Sequence, residues 1–121
     1  MEHDETGTSL SKIIALGQRL SQFDVKMQIS TALALIYVAK FQDRPEGVTT
    51  ADLQKWLGVS SAAASRNSYY WGDGTQDMPN AGFGLIRVEM DPMDRRKRVL
   101  RLTPRGEAFV NQLKGIVDGS T

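Results

Sequence analysis

Hydrophobic residues recur at helical spacing in residues 9–41, which predicts two helices after a polar, flexible tail at residues 1–8. Ser9 or Ser11 can cap the first helix, which is expected to end near Gln22. The apolar stripe of this helix consists of Leu10, Ile13, Ile14, Gly17 and Leu20. Gly17 weakens the helix by roughly 1 kcal/mol relative to alanine but permits close approach of a neighbouring element.

The second helix is predicted from about Val25 to Phe41, with Asp24 as its cap. Its apolar residues cover most of the helix circumference: Ile29, Ala32, Leu33, Leu35, Ile36, Tyr37, Val38 and Ala39. A helix that is apolar nearly all round is typically buried. We therefore expect this helix to lie at the centre of the core.

A shorter pair of helices is predicted at residues 49–71, after a very short strand that begins at Val48. Thr49 and Asp52 form a capping-box pattern, and Gly58 ends the first helix where a left-handed residue is needed. Ser60 can cap the second helix, which extends from Ser61 to about Trp71. Two short helices joined by a glycine-containing turn are the pattern of a helix–turn–helix.

The second of these helices has a composition that suits a DNA groove. If Ala64, Ser68 and Trp71 pack inward, small residues and hydrogen-bond donors point outward: Ser61, Ala62, Ser65, Arg66 and Tyr69. Small residues allow close approach to base pairs, and Arg66 can bind guanine or phosphate. The alternative is a small-residue helix that packs tightly on a neighbouring element.

Residues 72–84 are rich in Gly, Asn, Asp and Pro, which predicts a loop. Its Gly-Phe-Gly segment lacks the lysine and third glycine of a phosphate loop, so nucleotide binding is not predicted. Residues 85–90 and 99–102 then alternate between apolar and polar positions, as paired strands do. The hairpin at residues 85–103 leads into a helix at residues 103–118, with Thr103 as its cap and Pro104 at its first position.

The formal net charge is only +1, so the placement of the charges is more informative than their sum. Seven of the fifteen Lys and Arg residues lie between Arg87 and Arg105. Most of them are in the predicted hairpin, which carries Asp94, Arg95, Arg96, Lys97 and Arg98. A basic hairpin after a helix–turn–helix favours a "wing" that touches nucleic-acid phosphate. Its alternative is a sheet edge kept solvated by charge.

Composition excludes several other classes of function. The chain has no cysteine, which excludes disulfides, thiol catalysis and thiolate metal sites. The single histidine, His3, lies in the polar tail, and the carboxylates are scattered, so neither an enzyme nor a cofactor is predicted. No apolar run is long enough to cross a membrane, and no signal peptide is apparent. We expect one cytoplasmic domain at residues 9–121, without a membrane partner.

The motifs resemble the MarR family of bacterial transcription regulators. That family's wing carries Asp, any residue, Arg, five residues and Leu-Thr, which are here Asp94, Arg96, Leu102 and Thr103. Pro104-Arg105-Gly106 follows as in the family, and residues 49–66 align with its reading unit without a gap. The resemblance covers about residues 25–113. It implies a mainly α (α+β) winged helix–turn–helix with a two- or three-stranded β-wing.

The resemblance also implies a function, a sequence-specific regulator of transcription that binds double-stranded DNA and acts as a repressor. The helix from Ser61 would lie in the major groove, and Arg96, braced by Asp94, would enter the minor groove or bind phosphate. The residues predicted to contact DNA are Thr49, Ser60, Ser61, Ala62, Ser65, Arg66, Tyr69, Asp94, Arg95, Arg96, Lys97 and Arg98. Regulators of this kind often respond to aromatic ligands, but no residue identifies an effector pocket here.

By the same resemblance the protein would be a homodimer on a near-palindromic site. The apolar residues available for that contact are Leu10, Ile13, Ile14, Phe109, Leu113 and Ile116. Three features depart from the family. The link at residues 72–84 is longer, Asn67 stands where an apolar residue is usual, and a single helix is predicted where the family has a longer helical C-terminus that builds the dimer.

The alternative function is a winged-helix module that docks on a protein partner of transcription or of a phage. Tyr69, Tyr70, Trp71 and Phe83 flank the predicted loop and could form the centre of such an interface. The same aromatic residues could instead anchor the loop to the core. A docking module would bind no DNA, which distinguishes the two functions.

Overall fold

The computed structural model describes residues 5–73 and 82–119, and these residues form five α-helices and one antiparallel sheet. The helices are α1 (Glu5–Ser21), α2 (Ile29–Phe41), α3 (Thr50–Leu57), α4 (Ser61–Trp71) and α5 (Pro104–Asp118). The strands are β1 (Val48–Thr49), β2 (Ile86–Asp91) and β3 (Asp94–Leu102). This order confirms the predicted mainly α winged helix–turn–helix. Predictions for His3 and for most of the loop at residues 72–84 lie outside the described residues.

The sheet has three strands in the order β1-β3-β2, so β3 lies in the middle. Val88 and Val48 both pair with Leu100, from opposite sides of β3. Ile86 pairs with Leu102, which confirms the predicted pairing of the two hairpin strands. The inward residues of the sheet join the core: Leu100 is fully buried, and Ile86 and Leu102 are nearly so.

The core lies between the sheet and one face of α2. Leu35 and Val38 of α2 are fully buried together with Leu53 of α3 and Trp71 of α4. The indole Nε1 of Trp71 donates a 2.7 Å hydrogen bond to the backbone carbonyl of Thr31. Since a buried indole N–H requires a partner, this bond fixes the end of α4 against the start of α2.

Two predicted helix starts were wrong. α1 begins at Glu5, so the tail predicted at residues 1–8 is partly helical, and Ser9 and Ser11 lie inside the helix. The apolar stripe did not mark the packed side of α1, since Leu10, Ile13 and Ile14 are exposed whereas Leu16 and Leu20 pack against the core. It also did not mark the start of α1, because polar residues form helices as well. α2 begins at Ile29 and not near Val25, since the carboxylate of Asp24 instead accepts a 2.9 Å bond from the backbone N–H of Lys26 in a turn.

The expectation that α2 is buried on all sides was also wrong. Its buried residues lie on one face, whereas Ile29, Leu33 and Ile36 are exposed on the other. In the described part of the chain, α3, α4, α5 and β3 provide the main contacts to α2. A helix in a domain of this size can be central to the core and still leave an apolar face uncovered.

Candidate nucleic-acid interface

The helix–turn–helix is shaped by hydrogen bonds that form within a few residues. The side chain of Thr49 accepts a 3.1 Å bond from the backbone N–H of Asp52, and the Asp52 carboxylate accepts a 2.9 Å bond from the N–H of Thr49. Gly58 ends α3 in the left-handed conformation, at φ 66° and ψ 37°. The hydroxyl of Ser60 accepts a 3.1 Å bond from the N–H of Ala63. All three predicted signals are therefore confirmed.

The inward face of α4 is the predicted one. Ala64, Ser68 and Trp71 are fully buried, and the Ser68 hydroxyl donates to the carbonyl of Ala64 at 2.9 Å. Asn67 is also inward, with only 7% of its surface exposed. Its Oδ1 accepts a 2.7 Å hydrogen bond from the hydroxyl of Thr31 on α2. The residue that departs from the apolar position of the MarR family thus links α4 to α2 by a buried polar contact.

The outward face of α4 presents small residues and one cation to solvent. Ser61, Ala62 and Arg66 are exposed, whereas Ser65 and Tyr69 are half-buried beside them. Thr49 does not belong to this surface. It is buried and its hydroxyl is used in the capping box, so it leaves the candidate interface. Ser60 is exposed, but its hydroxyl is occupied by the cap of α4.

The wing is the hairpin of β2 and β3, whose tip is Pro92 and Met93. Asp91 pairs with Asp94 across the tip, after an irregularity between Met90 and Asp91. The Asp91 carboxylate accepts a 2.8 Å bond from the N–H of Met93, which closes the turn. An Asx-type bond of this kind stabilises a tight turn without a glycine.

Arg96 lies beside this tip with 94% of its side chain exposed. Oδ1 of Asp94 accepts a 3.0 Å bond from the backbone N–H of Arg96 and lies 3.5 Å from its Nε. Asp94 therefore holds the base of Arg96, as the family resemblance implies. The remaining guanidinium nitrogens are free to bind an anion, because an exposed ion pair of this geometry is weak.

The other basic residues fall into two groups. Arg95 and Lys97 are exposed next to Arg96, and Arg98 is partly buried and donates to the carbonyl of Arg95. Arg101 and Arg44 have structural partners instead. Arg101 donates to the carbonyl of Gln42 at 3.0 Å, and Arg44 donates to the carboxylate of Asp52 at 2.8 Å. Within the wing, the cations available to a ligand are thus concentrated near the tip.

Tyr70, on the partly buried side of α4, has an altered acidity. Burial raises the pKa of its hydroxyl to about 12, and the neighbouring Asp24 carboxylate adds to the increase. The Tyr70 hydroxyl donates to that carboxylate at 3.3 Å. Tyr70 therefore remains a neutral donor on α4 throughout the physiological pH range.

The aromatic residues near the loop pack on one another. Phe23 contacts Trp71, Phe83 and Phe109 edge to face, with ring centroids 4.8–5.4 Å apart. Tyr70 packs on Trp71 in the same way, at 5.1 Å. Edge-to-face pairs are typical of cores. This arrangement favours their role as anchors of the loop and not as an interface for a protein partner.

Two of the residues predicted for a dimer contact belong to the protomer's own core. Phe109 and Leu113 on α5 are only 4% and 6% exposed, because the apolar side of α5 faces α1 and the remainder of the core. Ile116 is half-buried. Leu10, Ile13 and Ile14 of α1 are exposed as predicted. The apolar pattern could not distinguish packing within one protomer from packing between two.

Other classes of site are not apparent in the described residues. No group of three His, Cys, Asp or Glu residues within residues 5–73 and 82–119 could hold a metal ion. No helix in these ranges has the length and the apolar character needed to cross a membrane.

Comparison with known proteins identifies the fold. No protein-family model matches the chain, and no curated protein sequence matches it. Among solved structures, a DNA complex of MepR from S. aureus matches 96% of this chain and 85% of MepR, with a TM-score of 0.66 and 22% sequence identity. MarR matches 95% of this chain and 73% of its own length, with a TM-score of 0.58 and 18% identity. The chain has the MarR-type winged-helix fold.

Further structures with the MarR-type fold contain bound ligands. A MepR variant bound to an oligodeoxyribonucleotide matches 98% of this chain and 79% of MepR, with a TM-score of 0.68 and 20% identity. MepR bound to ethidium bromide matches 92% of this chain and 70% of MepR, with a TM-score of 0.62 and 23% identity. At these identities the fold is shared, and the roles of individual side chains must be argued from this chain.

Proposed function

We propose that this protein is a sequence-specific, double-stranded DNA-binding regulator of transcription that acts as a repressor. In this function α4 enters the major groove, where Ser61, Ala62, Ser65, Arg66 and Tyr69 face the bases and the phosphates. The wing follows the DNA to the adjacent minor groove or backbone, where Arg96 binds with Asp94 behind it. Arg95, Lys97 and Arg98 add positive charge along the same path.

The observation that carries this proposal is the combination of two surfaces in one domain. α4 has a fully buried side and an outward side of small residues with a single exposed arginine. The wing ends in an arginine that is almost fully exposed yet held at its base by a carboxylate. Small residues permit close approach to base edges, and a fixed guanidinium suits a narrow, negative groove.

The comparisons support the same function. MepR and MarR share the fold over most of this chain, and MepR has been solved in complexes with DNA. We further propose a homodimer that works in the cytoplasm as a binding protein and not as an enzyme. The exposed apolar residues of α1 support the dimer, because unpaired apolar side chains on one helix face favour burial against a partner.

The proposal is tested by fluorescence anisotropy with short labelled duplexes across a series of salt concentrations. One duplex carries the region upstream of the protein's own coding sequence, and the other carries random sequence. We expect tight binding to the upstream duplex and much weaker binding to the random one, with both affinities falling steeply as salt rises. Absence of binding to every duplex at low salt would contradict the proposal and favour the protein-docking module.

A further inference from the structure

A cleft of about 160 Å³ lies between the turn before α2 and one side of α4. From α4 it is lined by Ala63, Arg66, Asn67 and Tyr70, which follow one another at helical spacing. This side of α4 is next to the outward face, and Arg66 belongs to both. The opposite wall includes Lys26 and Gln28, so the cleft opens at the first turn of α2.

Two side chains of this cleft already accept hydrogen bonds within the protein. Oδ1 of Asp24 accepts from the backbone N–H of Lys26 at 2.9 Å, and its Oδ2 accepts from the hydroxyl of Tyr70 at 3.3 Å. Oδ1 of Asn67 accepts from the hydroxyl of Thr31 at 2.7 Å.

Some donors of the cleft have no acceptor among the described residues. Asn67 lines the cleft and is only 7% exposed. Its Nδ2 has no hydrogen-bond acceptor among the described residues. Lys26 and Arg66 are exposed and form no ion pair in residues 5–73 and 82–119. Gln28, the N-cap of α2, provides no side-chain bond to the helix it precedes. An amide N–H pair that reaches the cleft without an acceptor from the protein favours a ligand that supplies oxygen acceptors.

The charges favour an anionic ligand as well. Lys26 and Arg66 together outweigh the carboxylate of Asp24, the remaining charged residue of the lining. The first turn of α2 adds the positive end of a thirteen-residue helix to the same place. An oxyanion would therefore be attracted by two cations and a helix end, and could accept hydrogen bonds from Asn67.

We propose that this cleft binds one phosphate of the DNA backbone beside α4, with Asn67 and Lys26 as the residues that hold it. The inference rests on the proposed function, because it places DNA on the outward face of α4. A helix in the major groove has a phosphate backbone along its side, and contacts to that backbone set the position of the helix without reading sequence. Arg66 lies between the two surfaces and can reach either a base or this phosphate.

The variants that test the cleft are Asn67→Asp and Lys26→Gln. Asn67→Asp keeps the oxygen that accepts from Thr31 and replaces the free amide donor with a negative charge. Lys26→Gln removes one cation from an exposed turn, so it tests the cleft even if Asn67→Asp impairs folding. Lys40→Gln, at an exposed position in the last turn of α2, is the matched control for the loss of one lysine.

Anisotropy titrations against both duplexes across the salt series provide the first measurement. We expect each cleft variant to bind every duplex about tenfold more weakly at low salt, as for loss of a hydrogen bond to a charged group. The slope of log affinity against log salt should fall by about one unit for Lys26→Gln. Lys40→Gln should bind like the parent. Equal affinities and slopes for the parent and both cleft variants would overturn the inference.

The second measurement separates a DNA phosphate from a free anion. In ¹H–¹⁵N spectra of the parent, the side-chain NH₂ signals of Asn67 should shift when duplex is added. If inorganic phosphate shifts these signals but the cleft variants retain parental DNA affinity, the cleft is a small-anion site and the inference is overturned. A parent that binds no DNA overturns the proposed function and the inference together. If Arg96→Ala weakens the DNA binding of the parent and the cleft variants leave it unchanged, the inference alone is overturned.

Discussion

Gly106 lies at the point where the first turn of α5 approaches the chain before β2. A Cβ at this position would lie 2.0 Å from the carbonyl oxygen of Leu85, far inside van der Waals contact. The N–H of Gly106 also donates to the Thr103 hydroxyl at 3.0 Å, and that hydroxyl donates to the carbonyl of Gly84 at 2.6 Å. The glycine of the Thr-Pro-Arg-Gly segment is therefore required by the close approach of two backbones.

Gly106→Ala is expected to destabilise the protein by about 1–3 kcal/mol, because the new methyl group must displace backbone and not a flexible side chain. Gly17→Ala is the matched control in another helix, since no atom lies within 4 Å of a Cβ there. That control should stabilise the protein by roughly 1 kcal/mol. Urea unfolding monitored by circular dichroism measures both changes. Equal stabilities of the two variants would contradict this account of Gly106.

Tyr70 gives a prediction for alkaline pH. Its pKa is raised to about 12 in the folded protein by burial first and by Asp24 second, against an ordinary tyrosine pKa of 10.0. Between these two pH values the unfolded chain releases the proton while the folded chain keeps it. The stability that comes from neutral Tyr70 is therefore complete below the unfolded pKa and is lost as pH rises through the folded pKa.

This prediction is checked by the ultraviolet absorbance of tyrosinate during a pH titration. We expect a titration step near pH 12 in the parent. The step should be absent in Tyr70→Phe and should move to lower pH in Asp24→Asn, which removes the neighbouring negative charge. If this titration step persists unchanged in Tyr70→Phe, it belongs to another tyrosine and the prediction for Tyr70 is wrong.

At the scale of elements, the wing and α4 are expected to contact different parts of DNA. The wing presents Arg96 on a hairpin whose turn is closed by Asp91 and whose arginine is held by Asp94. α4 presents Arg66 from a helix that is fixed by its buried side. A cation on a hairpin tip suits the continuous backbone, whereas an arginine on a reading helix suits particular base edges.

Arg96→Ala should weaken binding to all duplexes and lower the salt slope by about one unit, because one phosphate contact is lost. Arg66→Ala should instead change the preference between duplexes of different sequence, by roughly 1–3 kcal/mol at the affected base pair. The two variants are compared by anisotropy at several salt concentrations. If both bind like the parent in every condition, these roles are wrong.

At the scale of the whole molecule, the exposed apolar side of α1 is the surface that we propose for contact with a second copy. Leu10, Ile13 and Ile14 are exposed on adjacent turns, while Phe109 and Leu113 are already used inside the protomer. In the proposed dimer we expect α1 to pack with the remaining exposed side of α5, where Val117 is exposed. The proposed dimer interface therefore contains fewer of the apolar residues than the sequence pattern predicted.

Ile13→Glu is expected to weaken the dimer at least about tenfold, because a charge would replace an apolar side chain at the contact. Met93→Glu is the control, since Met93 is 93% exposed at the tip of the wing. Sedimentation velocity over a range of protein concentrations measures the change. A parent that sediments as a monomer at every concentration would show the dimer prediction to be wrong.

Much of the fold could be predicted because its signals are local. Thr49 with Asp52, Gly58, Ser60 and Thr103 each act within a few residues, so the ends of α3 and the starts of α4 and α5 were correct. The alternation in β2 and β3 also identified their pairing. The inward side of α4 was correct for a similar reason, since its small residues and Trp71 share one helical face.

The amino-acid sequence by itself thus determined the helices, the turns and the basic wing, because these depend on short-range hydrogen bonds and on periodicity. Only the tertiary structure decided what covers each apolar face: it buried Phe109 and Leu113 within the protomer and left one side of α2 exposed. It also placed Asn67 against Thr31, thirty-six residues earlier, and left the Asn67 amide in a cleft beside Arg66. Periodicity shows that a face will be buried but not which distant element will bury it.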